Sequence, residues 1–163
     1  MAKQSPAARA VAAARAAGKK LSCAESCTGG LIAKKLTDVS GASAVFKGGV
    51  VSYTNEIKHN VLGVPRELLD QYGAVSEPVA RAMAQGARRL LGCDLAAAAT
   101  GVAGPDPDDR NNPVGLVYLA LAAPEGVWVR KVQIGMDRER VRHVSASHAL
   151  HMAWRYLTGL EMK

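Results

Sequence analysis

Aromatic side chains make up only 4 % of the 163 residues, with a single Phe among them. That scarcity removes the stacking platforms on which single-stranded nucleic acids are held. Cysteine is also sparse. Cys23, Cys27 and Cys93 cannot all pair within one chain. The C-x3-C spacing has no second Cys or His pair behind it, so a structural zinc site is not expected. Reduced thiols in a cytoplasmic protein are the default. No apolar run approaches the roughly 18 residues of a membrane-spanning helix. The N-terminus is rich in Ala and Arg but has no uncharged apolar stretch, so it does not read as a secretory signal. On composition alone, a transit peptide stays open as an alternative.

Acidic residues are missing from the first 24 positions, which carry Lys3, Arg9, Arg15, Lys19 and Lys20. The net charge of the whole chain is +7, so this one segment supplies most of it. A basic first helix is expected, and with it no general nucleic-acid face; an acidic partner for that helix stays open. What the sequence does contain is 48 % hydrophobic and 21 % charged residues, which argues against disorder. The length fits a single domain over 1–163, with enough chain to bury a core.

Ser5-Pro6 reads as an N-cap and first helical position, and the Ala-rich helix it opens ends at Gly18. Leu21–Ala24 reads as a strand, and Leu31, Ile32 and Leu36 mark a helix after it. Val45–Tyr53 is a second strand. Val64 to about Gly73 is a short helix. Ser76-Glu77-Pro78 starts a longer helix that Gly92 closes. Leu95–Thr100 is a run of small apolar residues suited to a strand buried on both faces. A turn-rich loop over 101–113 follows. Val114–Ala122 and Val127–Ile134 are two strands split by Pro124-Glu125-Gly126, a hairpin signal. Asp137 caps a last helix to about Leu157. This order predicts an α/β domain with helices on both faces of a mainly parallel sheet, and one antiparallel strand from the C-terminal hairpin.

Ligands of open α/β sheets bind beyond the carboxyl ends of the strands. Three segments fall there: Ala24–Gly30, Tyr53–Lys58 and Thr100–Pro105. Ser26 stands between a strand and a helix start. Its hydroxyl is either a nucleophile, if a base is near, or, with Thr28, a helix cap. The amides near Gly29 and Gly30 suit an oxyanion. Lys58 is the candidate base, or else a solvated surface lysine. Tyr53 either orients the same group or half-buries its ring at the strand end. Thr100-Gly101-x-x-Gly104 permits close approach of backbone to a ligand, or an ordinary tight turn. Arg138, Arg140 and Arg142 open the last helix, where one can grip a phosphate and others face solvent. Cys27 is a weaker nucleophile candidate. His59, His143, His148 and His151 make no metal-binding pattern with carboxylates, and the last three are expected to pack or face solvent along one helix.

Several blocks together resemble one family, the CinA C-terminal domain. They are Ala24-Glu25-Ser26-Cys27-Thr28-Gly29-Gly30, Phe46 to Lys58 with its Lys-Gly-Gly-Val-Val-Ser-Tyr-Thr-Asn-Glu core, Gly73-Ala74-Val75-Ser76, Thr100-Gly101-Val102-Ala103-Gly104-Pro105 and Pro113-Val114-Gly115. They occur in order over about residues 8–158. The resemblance implies a three-layer α/β/α fold with a five-stranded mixed sheet. It also implies nicotinamide-nucleotide amidase activity: nicotinamide mononucleotide and water become nicotinate mononucleotide and ammonia, in pyridine nucleotide recycling. No metal or cofactor is implied. By position, Ser26 would be the nucleophile, Lys58 its base and Tyr53 an assistant. Backbone amides at Thr28, Gly29 and Gly30 are our own candidates for holding the oxyanion. Thr100, Gly101 and Gly104 would line the nucleotide pocket; apart from the resemblance, we expect Arg138 or Arg142 at the phosphate.

Two features depart from the pattern. The loop Asp106-Pro107-Asp108-Asp109-Arg110-Asn111-Asn112 replaces the glycines and lysine usual before Pro-Val-Gly. The larger members carry an additional N-terminal nucleotide-hydrolysing domain for which 163 residues leave no room. A reading of another class also stays open, a non-catalytic nucleotide-binding or protein-interaction module linked to competence or DNA damage. A homo-oligomer is compatible with the apolar strands, and no membrane association is expected.

Overall fold

The computed structural model describes residues 3–162. Helix α1 covers Pro6–Ala17. Ser5 accepts a hydrogen bond from the Ala8 amide at its start, and Gly18 ends it in the left-handed region. Strand β1, Leu21–Glu25, leads through a turn to α2, Leu31–Thr37. A short 3-10 turn precedes β2, Phe46–Val51. Three helices follow: α3 (Asn55–Asn60), α4 (Arg66–Tyr72) and α5 (Glu77–Leu91). Strands β3 (Leu95–Gly101), β4 (Leu116–Ala123) and β5 (Gly126–Gln133) lead to α6, Arg138–Leu157. Asp137 caps α6 by accepting from the Arg140 amide.

The sheet runs β2-β1-β3-β4-β5. β1 lies parallel to both neighbours, and β4 lies antiparallel to β3 and β5. Four strands therefore share a direction and the first hairpin strand opposes them, as the sequence leads one to expect. The residues of β3 alternate between two cores. Leu95, Ala97 and Ala99 pack against α1, α2 and α6. Ala96 and Ala98 face α5 and its neighbour α4 through Val79, Met83 and Ala87. Four of the seven residues of β3 are alanine, and helices pack on both faces of the sheet, which makes the three layers. Among the described residues no helix is long and apolar enough to cross a membrane.

Three local expectations are corrected. Helix α3 does not show in the hydrophobic pattern, since its six residues are polar except Ile57; Thr54 caps it by accepting from the Ile57 amide. Ser76 stands at the N-cap of α5 but does not cap it, because its hydroxyl donates to the Gly73 carbonyl. Strand β2 stops at Val51, so Ser52 and Tyr53 leave the sheet as a connector.

The basic first segment is tied to the fold. The Arg9 guanidinium lies 3.5 Å from the centroid of the Trp154 ring on α6, a cation–π contact. Lys20 donates from Nζ to the Ala44 carbonyl and from its amide to Asp94.

Gly101 is explained by packing. A Cβ there would lie 2.7 Å from both the Leu116 carbonyl oxygen and Val117 Cγ2 on β4. Gly101→Ala is expected to cost about 1–3 kcal/mol by overpacking, read as a lower urea midpoint at unchanged slope.

Candidate active site

Beyond the carboxyl ends of β1 and β3 lies a cleft of about 570 Å³, the size of a small-molecule site. Ser26, Cys27, Tyr53 and Lys58 line one side, and Thr100 to Gly104 another. Asp106, Asp108, Asp109, Arg110 and Arg138 form its rim.

The floor holds one short contact between two functional groups. Lys58 Nζ stands 2.9 Å from Ser26 Oγ. Lys58 is 1 % exposed, among the most deeply buried long side chains of the protein. It also donates to the Ser52 carbonyl at 2.8 Å and approaches the Tyr53 carbonyl at 3.5 Å. Helix α3 delivers this side chain inward from its last turn, while β1 ends one residue before Ser26. Burial disfavours the ammonium and pushes the Lys58 pKa from 10.5 down to about 8. Two backbone carbonyls can occupy the two N–H bonds of a neutral amine, which leaves its lone pair for the Ser26 hydroxyl. The solvated-lysine alternative is thereby excluded.

Glu25 holds the α2 start that Ser26 and Thr28 were candidates to cap. It is 1 % exposed. Its two carboxylate oxygens accept from the amides of Ile32 (2.8 Å) and Ala33 (3.1 Å). The Thr28 hydroxyl is buried with no partner. A charged residue ending the apolar strand Leu21–Ala24 is the sequence signal for this buried acid.

The other expected site residues separate into two groups. Thr100, Gly101 and Gly104 line the cleft, and Thr100 donates to the Ala74 carbonyl at 2.8 Å. Arg138 lines it too, donating to the Gly104 carbonyl (2.6 Å) and to the Tyr53 hydroxyl (3.2 Å). The Tyr53 ring is 59 % exposed, so its phenol belongs to the Arg138 side of the mouth, and only its carbonyl reaches Lys58.

Thr28, Gly29, Gly30 and Arg142 do not line the cleft. The Gly29 amide donates to the Ser26 carbonyl at 3.0 Å, which closes the turn. Arg142 donates to the carbonyls of Cys27 and Thr28, each at 3.2 Å, and so braces the turn from behind. The amides of Cys27 and Thr28 have no acceptor on another described residue. The Cys27 thiol is pushed up to about 12, chiefly by burial, and is poorly suited to attack.

Arg110 was not singled out by sequence reasoning. It reaches back from the atypical loop to the carbonyls of Asp70 and Gln71 at the end of α4. Asp108 orders that loop by accepting from the amides of Arg110 and Asn112 and from the Asn112 side chain. His143, His148 and His151 lie along α6 in a shallow groove with Pro6, away from the cleft.

A three-layer α/β/α domain with a buried serine–lysine pair at its strand ends defines the class. Residues 3–157 match the CinA C-terminal domain, and the chain belongs to that family. A putative competence-damage inducible protein of Thermoanaerobacter pseudethanolicus is 49 % identical over 142 residues, which is 87 % of this chain and 34 % of the relative. A CinA-like protein of Geobacter sulfurreducens is 54 % identical over 136 residues, 83 % of this chain and 33 % of that protein. The chain thus spans about a third of the length of these curated relatives. Among solved structures, the competence/damage inducible protein CihA from Agrobacterium tumefaciens superposes with a TM-score of 0.89 at 41 % identity, over 94 % of this chain and 93 % of that one. A CinA superfamily protein from Klebsiella pneumoniae gives 0.92 at 32 % identity, over 94 % and 96 %.

Proposed function

We propose that this chain is an amidohydrolase that converts nicotinamide mononucleotide and water to nicotinate mononucleotide and ammonia. The observation that carries this reading is the 2.9 Å contact between the Ser26 hydroxyl and a buried Lys58 whose pKa is pulled down to about 8. A binding module has no need of a desolvated lysine aimed at a hydroxyl. The cost of burying such a group is repaid where the neutral amine acts as a base.

In the proposed reaction, neutral Lys58 takes the Ser26 proton as Oγ attacks the carboxamide carbon. The tetrahedral oxyanion is met at the Ser26 turn by the amide of Cys27, which lines the cleft and has no acceptor on another described residue. This differs from the sequence expectation, because the Gly29 amide is already committed. Protonated Lys58 returns the proton to the departing ammonia. Water, deprotonated by Lys58, then attacks the acyl carbon, and as the bond to Ser26 Oγ breaks Lys58 returns that proton to Oγ. Arg138 is the better placed of the two expected phosphate ligands, since it lines the cleft and Arg142 does not. A basic guanidinium among the acids Asp106, Asp108 and Asp109 suits a substrate carrying both a phosphate and a cationic pyridinium ring.

The test is ammonia release from nicotinamide mononucleotide, with nicotinate mononucleotide identified as the second product. Because the base works only when neutral, kcat/KM is expected to rise with pH up to a bend near 8. No release at any pH, or a rate that falls across that range, refutes the proposal.

A further inference from the structure

We propose that Glu25 is the positioning residue of the Ser26–Lys58 pair, setting both of its arms from one buried site. The inference rests on the reading of Ser26 as a nucleophile. The first arm runs through the side chain. The N-cap position of helix α2 is Gly30, which has no side chain to cap it. The Glu25 carboxylate reaches across the turn and holds the amides of Ile32 and Ala33, seven and eight residues ahead. The turn that carries Ser26 is thereby tied at both ends to one residue.

The second arm runs through the main chain. The Glu25 carbonyl accepts from the Ser52 amide at 2.7 Å and from the Ser52 hydroxyl at 3.2 Å. The Ser52 carbonyl in turn accepts from Lys58 Nζ at 2.8 Å. A displacement of Glu25 is therefore transmitted to nucleophile and base together.

The chemistry of the side chain matters as well as its bulk. Each oxygen receives one amide, and Cys23 Sγ adds a weak donor at 3.7 Å to one of them. A buried acid of this kind is retained where its acceptors are matched. A glutamine of the same shape has one acceptor oxygen. Its NH2 would face an amide donor, so one of the two ties is lost and the turn relaxes.

Glu25→Gln tests this with two readouts. The first is the rate at which a fluorophosphonate phosphonylates Ser26 with loss of fluoride, followed by intact mass. The second is kcat and KM for nicotinamide mononucleotide. The variant is expected to label about 10–100-fold more slowly and to lose kcat by a similar factor, with KM within about twofold and unfolding still cooperative. Ser26→Ala, which has no hydroxyl to label, is the blank. Wild-type labelling rates in Glu25→Gln, or a loss confined to KM, overturn the inference while leaving the nucleophile reading intact. A wild-type protein that is not labelled and releases no ammonia overturns both. Should Glu25→Gln fail to fold, Glu25→Asp keeps two acceptors on a shorter arm: a folded protein labelling at least tenfold slower supports the positioning role, and one labelling at the wild-type rate refutes it.

Discussion

Ser26→Ala is expected to reduce ammonia release from nicotinamide mononucleotide by about 1,000-fold or more while the protein stays folded. The change removes one oxygen that is 8 % exposed with its residue at the cleft floor. Lys58 keeps the Ser52 and Tyr53 carbonyls as acceptors, so no buried donor is stranded. Stability is expected to change by less than about 1 kcal/mol, since a single hydrogen bond contributes on that order. The discriminating measurement pairs an ammonia assay with a urea melt on the same preparation. Full activity in the variant would remove the serine mechanism. A joint loss of activity and of the cooperative melt would point to a structural role instead.

Lys58→Met is expected to lose about 100- to 10,000-fold in rate, the range for a missing general base. Its effect on stability has a distinctive pH dependence. In the folded protein Lys58 titrates at about 8, and in the unfolded chain near 10.5. Between these values the unfolded chain binds a proton that the folded one does not, so the lysine makes stability rise with pH. Below about 8 both forms are protonated and that contribution is absent. The rise amounts to about 3 kcal/mol across the window. Other groups act oppositely over the same range. Burial raises the thiols of Cys23 and Cys27, and the Tyr156 phenol goes up to about 12, so these groups lower stability as pH increases. They are present in both proteins. The difference in unfolding free energy between wild type and Lys58→Met, measured from pH 7 to 10.5, reports the lysine together with its coupling to the Cys27 thiol. A difference that stays flat would mean that Lys58 is not desolvated in solution.

The two substitutions separate the chemical roles. Ser26→Ala retains the buried amine and is expected to keep the pH-dependent stability of wild type. Lys58→Met retains the hydroxyl but loses that dependence. Only a dyad in which the lysine is both buried and functional gives this pattern.

Arg142 shows how far a linear reading reaches. Its place near the start of α6 suggested a phosphate ligand. The structure turns it toward the carbonyls of Cys27 and Thr28, on the far side of the Ser26 turn. A Cβ on Gly29 would lie 2.9 Å from its guanidinium, so glycine at 29 and arginine at 142 are fitted to each other across more than a hundred residues. Tyr53 makes the same point. Its chain neighbourhood with Lys58 is real, but the strand exit sends its ring to Arg138 and only its carbonyl to the amine.

The sequence by itself determined the layered α/β order, the strand β3 buried on both faces, the hairpin, the ends of α1 and α6, and the stop of α5 at Gly92. These depend on local signals: apolar period, capping serine or aspartate, glycine in the left-handed region, and turn residues within a few positions of each other. It also singled out Ser26 and Lys58, because the chemistry of a hydroxyl and an amine at strand ends is visible in one dimension. Only the tertiary structure decided that the two meet at 2.9 Å, that Lys58 is dry enough to titrate near 8, and that Glu25 rather than Thr28 serves α2. The reason is physical. Helix α3 has no apolar stripe to announce it, and desolvation is a property of the surrounding atoms. Burial of Lys58 comes from β1, the Ser52–Tyr53 connector and α3 converging on one point, and no window of sequence contains all three.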